Sequence, residues 1–230
     1  DKLKQYEFDL KLINEKRPHI LDADTEKLLT EAQDALSTPS NVYGMFSNAD
    51  LEFEDAIDKD GEAHPLTQGT FIKYLESDDR ELRASAFRNV YKAYGAHNNT
   101  LGATLAGEVK KNVFNARTHH YRSARERALS NNHIPEAVYD NLIKTVHKYL
   151  PLLHRYTKLR QELLGLDDLK MYDLYTPLVK DVKFDMPYEE AKSWMLKALE
   201  PMGEEYLNVV KEGLDNRWVD VYENKGKRSG

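Results

Sequence analysis

The sequence predicts a mainly α fold: a multi-helical, bundle-like segment with one small β-hairpin and a few short strands. Three observations carry that expectation. Apolar residues recur at three- and four-residue spacing over several long stretches, which places them on one face of a helix. Helix-starting and helix-stopping residues flank those stretches. Alternating, strand-like runs are few and short.

Asp22 is the expected cap of a helix whose stripe is Leu28, Leu29, Ala32 and Leu36, with Pro39 ending it. Leu51–Ile57 alternates apolar and acidic residues, and Asp58-Lys59-Asp60-Gly61 is turn chemistry. A hairpin is therefore expected near 50–66, with its return strand over Glu62–Leu66. Ser77 is expected to cap a long helix carrying Leu82, Ala86 and Val90, then Leu105, Val109 and Val113 if it runs on through Gly95 and Gly102. Each glycine weakens a helix by roughly 1 kcal/mol relative to alanine. A kink near 95–102 thus competes with one unbroken rod.

Pro135 suits a first helical turn, with Glu136 beside it at the positive end of the helix dipole. The stripe Val138, Leu142, Val146, Leu150 and Leu153 follows, and Gly165 fits the position just past the helix end. Pro151 is expected to bend or split this helix. Further helices are expected over 187–199 and 201–214, each opened by a proline. Lys170–Leu174 and Trp218–Tyr222 read as short strands.

Composition narrows the function classes. At 230 residues and 40% hydrophobic, the chain can bury a real core. Its net charge of -6, with both signs mixed, disfavours nucleic acid, which demands concentrated positive charge. No apolar run approaches the roughly 20 residues needed to cross a bilayer, so no membrane partner is expected. Without cysteine there is no disulfide and no thiolate metal site, which fits a reducing, cytoplasmic compartment.

Catalytic constellations are missing. A helix-borne His-Glu-x-x-His zinc site needs glutamate after its first histidine, and none of the eight histidines has one. His147 and His154 share a helix face but lie two turns, roughly 10 Å, apart along the axis. There is no Gly-x-Ser-x-Gly elbow and no phosphate-cradling Gly-x-x-x-x-Gly-Lys. The adjacent acids Asp167-Asp168 and Glu204-Glu205 diverge on a helix and suit a wet face. Arg117, His119, His120, Arg122, Arg125 and Arg127 form a basic cluster, either an anion contact or a solvated helix start paired with nearby carboxylates. In Tyr172-Asp173-Leu174-Tyr175, the aspartate either points into a cleft or anchors a loop by hydrogen bonds. On these residues alone, a non-enzymatic helical interaction module stays open.

Several segments together resemble the oligoendopeptidase F family, helical zinc peptidases related to thimet oligopeptidase. They are Arg17-Pro18-His19-Ile20-Leu21, Asn48-Ala49-Asp50-Leu51, Ser77-Asp78-Asp79-Arg80-Glu81-Leu82-Arg83 and the run Ile134–Ile143. They continue with His154–Arg160, Leu169–Leu178 and the terminal Gly226-Lys227-Arg228-Ser229-Gly230. The resemblance implies an internal portion of a larger helical metallopeptidase fold. Residues 1–165 would be a helical region with the hairpin, and 166–230 the start of the catalytic region, stopping before the zinc motif. It also implies an intact enzyme that uses zinc to hydrolyse short peptides, with the remaining N- and C-terminal parts of the same protein as partners. This segment would hold no metal ligand, no catalytic residue and no activity alone. Tyr172, Asp173, Tyr175, Gly226, Lys227, Arg228, Ser229 and Gly230 are the expected wall of the substrate cleft.

Overall fold

The computed structural model describes residues 3–179, 186–224 and 227. The chain divides into two compact units, Asp1–Thr176 and Pro177–Arg228.

The first unit opens with α1 (Glu7–Lys16), α2 (Ala23–Leu36) and α3 (Thr38–Met45). Asp22 caps α2 as expected, its carboxylate accepting from Thr25 N. The hairpin follows, but shorter than its alternation suggested. Only β1 (Ala56–Ile57) and β2 (Ala63–His64) pair, antiparallel, with Ala56 opposite His64. The preceding residues take other partners. The Asn89 amide donates to the carbonyls of Glu54 and Asp55, and Lys92 reaches the Glu54 carboxylate. Segment 51–55 therefore lies against a helix instead of extending the ladder.

Two helices complete this core: α4 (Gln68–Leu75) and α5 (Arg80–Gly95). Thr67 and Thr70 form a reciprocal cap on α4. The cap of α5 is Asp79, which accepts from Glu81 N and Leu82 N. Ser77, the expected cap, instead accepts from Asp79 N and supports the capping turn. Ala56, Leu66, Leu82, Ala86 and Val90 form the buried cluster, with Phe53, Phe71, Tyr74 and Tyr94 packed against it. The Ser85 hydroxyl accepts from Ile57 N at 2.9 Å, fastening the hairpin to α5.

The competing rod is not formed. After Gly95 the chain turns through Ala96 and His97, and α6 (Asn98–Thr118) begins. Next come α7 (Ala124–Ser130), capped by Ser123, and α8 (Glu136–Leu164). Pro151 does not split α8, whose 29 residues form one helix. A proline deletes one backbone bond, and a helix of this length keeps its ladder on both sides of the gap. Gly165, at φ 66°, closes α8 in the left-handed conformation that glycine adopts without steric cost.

The second unit carries α9 (Tyr188–Ala198) and α10 (Glu204–Asp215). Pro187 caps α9, but α10 starts after Gly203 rather than at Pro201, which falls in a short 3₁₀ turn. Neither expected short strand is present among the described residues. Met171–Asp173 is a 3₁₀ turn, and 218–222 is irregular, with Trp218 and Tyr222 exposed. Alternation alone does not make a strand without a partner to fill its ladder.

Candidate functional site

The most densely bonded polar group in the first unit is Asp173. Its side chain is completely buried. Arg83, also buried, donates to Oδ1 at 2.8 Å, and Arg80 donates to both oxygens at 3.2 and 3.0 Å. Lys170 N adds a fourth bond to Oδ2 at 2.9 Å. Burial opposes the charge on Asp173, but the hydrogen bonds from Arg80, Arg83 and the Lys170 amide outweigh it and hold the carboxyl below the ordinary carboxylate range.

Arg160, projecting from α8, supplies a third guanidinium, which donates to the carbonyls of Asp173 and Thr176. Arg83 further reaches Ser77 O, and Arg80 reaches Asp168 O. Two cations, Arg80 and Arg83, meet one carboxylate, and backbone carbonyls, those of Asp173 and Thr176 for Arg160 among them, take most of the remaining donors. Nε of Arg83 and of Arg160 are buried without an acceptor among the described residues. The arrangement clamps residues 168–176 onto α5 and the end of α8. Arg80 and Arg83, three apart, face one side of α5, which is why one carboxylate can meet both.

The clamped segment presents two tyrosines. Tyr172 is half-buried, edge-on to Phe87 at 5.9 Å between centroids, with the Arg80 guanidinium 5.5 Å above its ring. Tyr175 is exposed. Of the sequence-derived cleft residues, Tyr172, Asp173 and Tyr175 are thus adjacent, with Asp173 as the anchor between them. In the second unit, Lys227 Nζ donates to the carbonyls of Asp220 and Tyr222. Gly226, Arg228, Ser229 and Gly230 lie outside the described residues.

Two arginines of the basic cluster are held in ion pairs. Arg122 bonds Glu126 and Glu136, and Arg125 bonds Glu136 and Asp140, tying α7 to the start of α8. His119 lies between two acceptors, with Nδ1 2.8 Å from Asn115 O and Nε2 3.7 Å from the Glu26 carboxylate. His19, in the first matched segment, stacks on Tyr121 at 3.6 Å with Nδ1 2.8 Å from the His119 carbonyl. Arg80, Arg83 and Arg160 fall inside the segments that carried the family resemblance, yet nothing in their spacing assigned them a shared aspartate. The signal was the i, i+3 arginine pair beside a capping aspartate.

One group of metal-capable side chains occurs among the described residues: Asp58, Glu62 and His64, on the hairpin. Both oxygens of its Asp58 are already engaged within the turn. Asp58 Oδ1 accepts from the amides of Asp60 and Glu62, while Oδ2 lies 2.8 Å from His64 Nε2. The His64 contact first, and then those amides, hold the Asp58 carboxyl low. The group reads as a turn lock.

Comparison with known proteins gives two family matches, whose bounds do not follow the two units. The family model described as Peptidase family M3 matches residues 73–230, and the one described as Oligopeptidase F matches 1–53. Oligopeptidase PepF of Bacillus subtilis (strain 168) is 55% identical across the whole of this chain, which covers 34% of that relative. Group B oligopeptidase PepB of Streptococcus agalactiae serotype III is 44% identical over 99% of this chain and 38% of its own length. The crystal structure of oligoendopeptidase-F from Enterococcus faecium superposes with a TM-score of 0.73 at 42% identity, over 94% of this chain and 40% of that one. The chain therefore spans well under half the length of the proteins it matches.

Proposed function

This chain belongs to peptidase family M3, and on that premise we propose that it is part of a zinc-dependent oligoendopeptidase acting on short peptides in the cytoplasm. The observation that carries this reading is the family match over 73–230 together with identity to named oligopeptidases along the entire chain. The zinc implied by the family finds no fitting ligand set here. The one mixed histidine and carboxylate group among the described residues is locked in the hairpin turn. No histidine in the sequence is followed by glutamate. No step of hydrolysis is accordingly derived through these side chains, and metal chemistry is assigned to the remaining parts of the enzyme.

The role of this segment is to supply the wall of the substrate cleft. Tyr172 and Tyr175 would offer ring faces and hydroxyls to a bound peptide, with Asp173 as the residue that positions them. Lys227 and its neighbours Gly226, Arg228, Ser229 and Gly230 would flank the same cleft in the intact enzyme. A wall that contacts peptide chiefly through backbone and aromatic groups suits varied sequences.

Two measurements test this. The purified 230-residue chain, supplied with zinc, is expected to show no turnover of short peptides, and robust activity would overturn the assignment of the chemistry elsewhere. In the full-length enzyme, Tyr172→Ala and Tyr175→Ala are expected to lower kcat/KM by about tenfold each, or ~1.4 kcal/mol. Unchanged kinetics would remove both from the cleft.

A further inference from the structure

Within the first unit and among the described residues, helix α8 is long, amphipathic and almost wholly uncovered. Among its 29 residues, Arg160 is the only buried one. Val138, Leu142, Val146, Tyr149, Leu153 and Tyr156 follow one another at spacings of three and four and so share one face. All six are exposed, from 49% at Tyr156 to 59% at Leu142. The stripe spans eighteen residue rises, about 27 Å. A helix gains its stability in a protein by covering such a face, and this one holds no buried apolar side chain.

The two ends of α8 are nevertheless fixed. At its start, Arg125 ties Glu136 and Asp140. At its far end Arg160 falls on the same face as the stripe and is covered by the clamped segment 173–176. Coverage of this face thus begins within the chain and stops short of Tyr156. Between residues 141 and 161 there are five lysines and arginines and no acid. Lys144, Lys148, Arg155 and Lys158 project from the side opposite the stripe. One side is built for water, the other for an apolar partner.

Resting on the peptidase reading above, we propose that this face is an internal interface of the longer oligoendopeptidase, covered by the part of that polypeptide outside residues 1–230. The relatives argue for this occupant: the chain accounts for 34% and 38% of two of them, leaving most of each protein available to pack here. A contiguous apolar stripe of this length is larger than the scattered hydrophobics a finished surface carries.

The absence of cysteine makes the test direct. Leu142→Cys and Leu153→Cys report on the stripe, and Lys148→Cys reports on the basic side. Maleimide labelling at each introduced thiol is followed by mass spectrometry, in the 230-residue chain and in the full product of the gene. All three are expected to label rapidly in the 230-residue chain. In the full product, positions 142 and 153 are expected to slow by at least a hundredfold while 148 stays fast. Equal labelling at all three positions in the full product would overturn the proposal. So would slowing that appears in the 230-residue chain as its concentration rises, which identifies a second copy, or only on adding anionic phosphatidylserine vesicles, which identifies a membrane. Peptide turnover measured on the same full product separates the two readings. Protection without turnover breaks the peptidase assignment alone, and turnover without protection breaks the interface alone.

Discussion

Helices α5 and α8 carry the same kind of pattern and meet opposite fates. Both place apolar residues at three- and four-residue spacing. In α5, Leu82, Ala86 and Val90 are buried in the cluster shared with the hairpin, and Ala84, Arg83 and Ser85 are enclosed as well. In α8 a stripe of equal clarity is exposed along nearly its full length. Periodicity specifies that a helix will form and which face wants cover. It does not specify what arrives to cover it.

The sharpest break of this comparison is at Asp173. Asp173→Ala leaves Arg80 and Arg83 without their carboxylate and is expected to cost about 3–5 kcal/mol, read from urea unfolding of the 230-residue chain. A loss below about 1 kcal/mol would show that the clamp is not structural. The same group sets an acid limit. Because its folded carboxyl titrates below its unfolded value, its contribution is complete above the ordinary carboxylate range and is lost as pH falls through the folded value. The stability gap between the natural chain and Asp173→Asn is therefore expected to narrow as pH is lowered below about 4.

Next comes Leu75, 2% exposed at the end of α4, where Leu75→Ala is expected to cost about 2–5 kcal/mol in thermal or urea unfolding. Gly165→Ala places a side chain at φ 66° and is expected to cost about 1–2 kcal/mol, with loss of helical signal confined to the end of α8. The smallest effect belongs to Leu153→Ala. In the 230-residue chain it is expected to change stability by less than about 0.5 kcal/mol, because its side chain is already in water. Equal costs at Leu75 and Leu153 would erase the distinction between the buried core around α4 and α5 and the exposed face of α8.

Local chemistry was the legible part. Asp22 as a cap, Gly165 as a helix end and Asp58–Gly61 as a turn are each decided by a few neighbouring residues, and each stands where the sequence puts it. Expectations failed where the deciding partner was distant. Segment 51–55 alternates like a strand, but Asn89 takes its carbonyls. The 170–174 run alternates too, but three arginines from two helices fold it into a turn. Ser77 reads as a cap until Asp79, two residues on, takes the amides.

By itself, then, the sequence determined a helical chain, both ends of α2 and of α8 and, through its matched segments, the family. Those properties rest on spacing and on the conformational preferences of single residues, which act within a few positions. Only the tertiary structure decided that Asp173 gathers Arg80, Arg83 and Arg160, and that the face of α8 is left uncovered within the first unit. Both depend on what lies across space from a residue, where charge must be paired and apolar surface removed from water, and no local pattern records that.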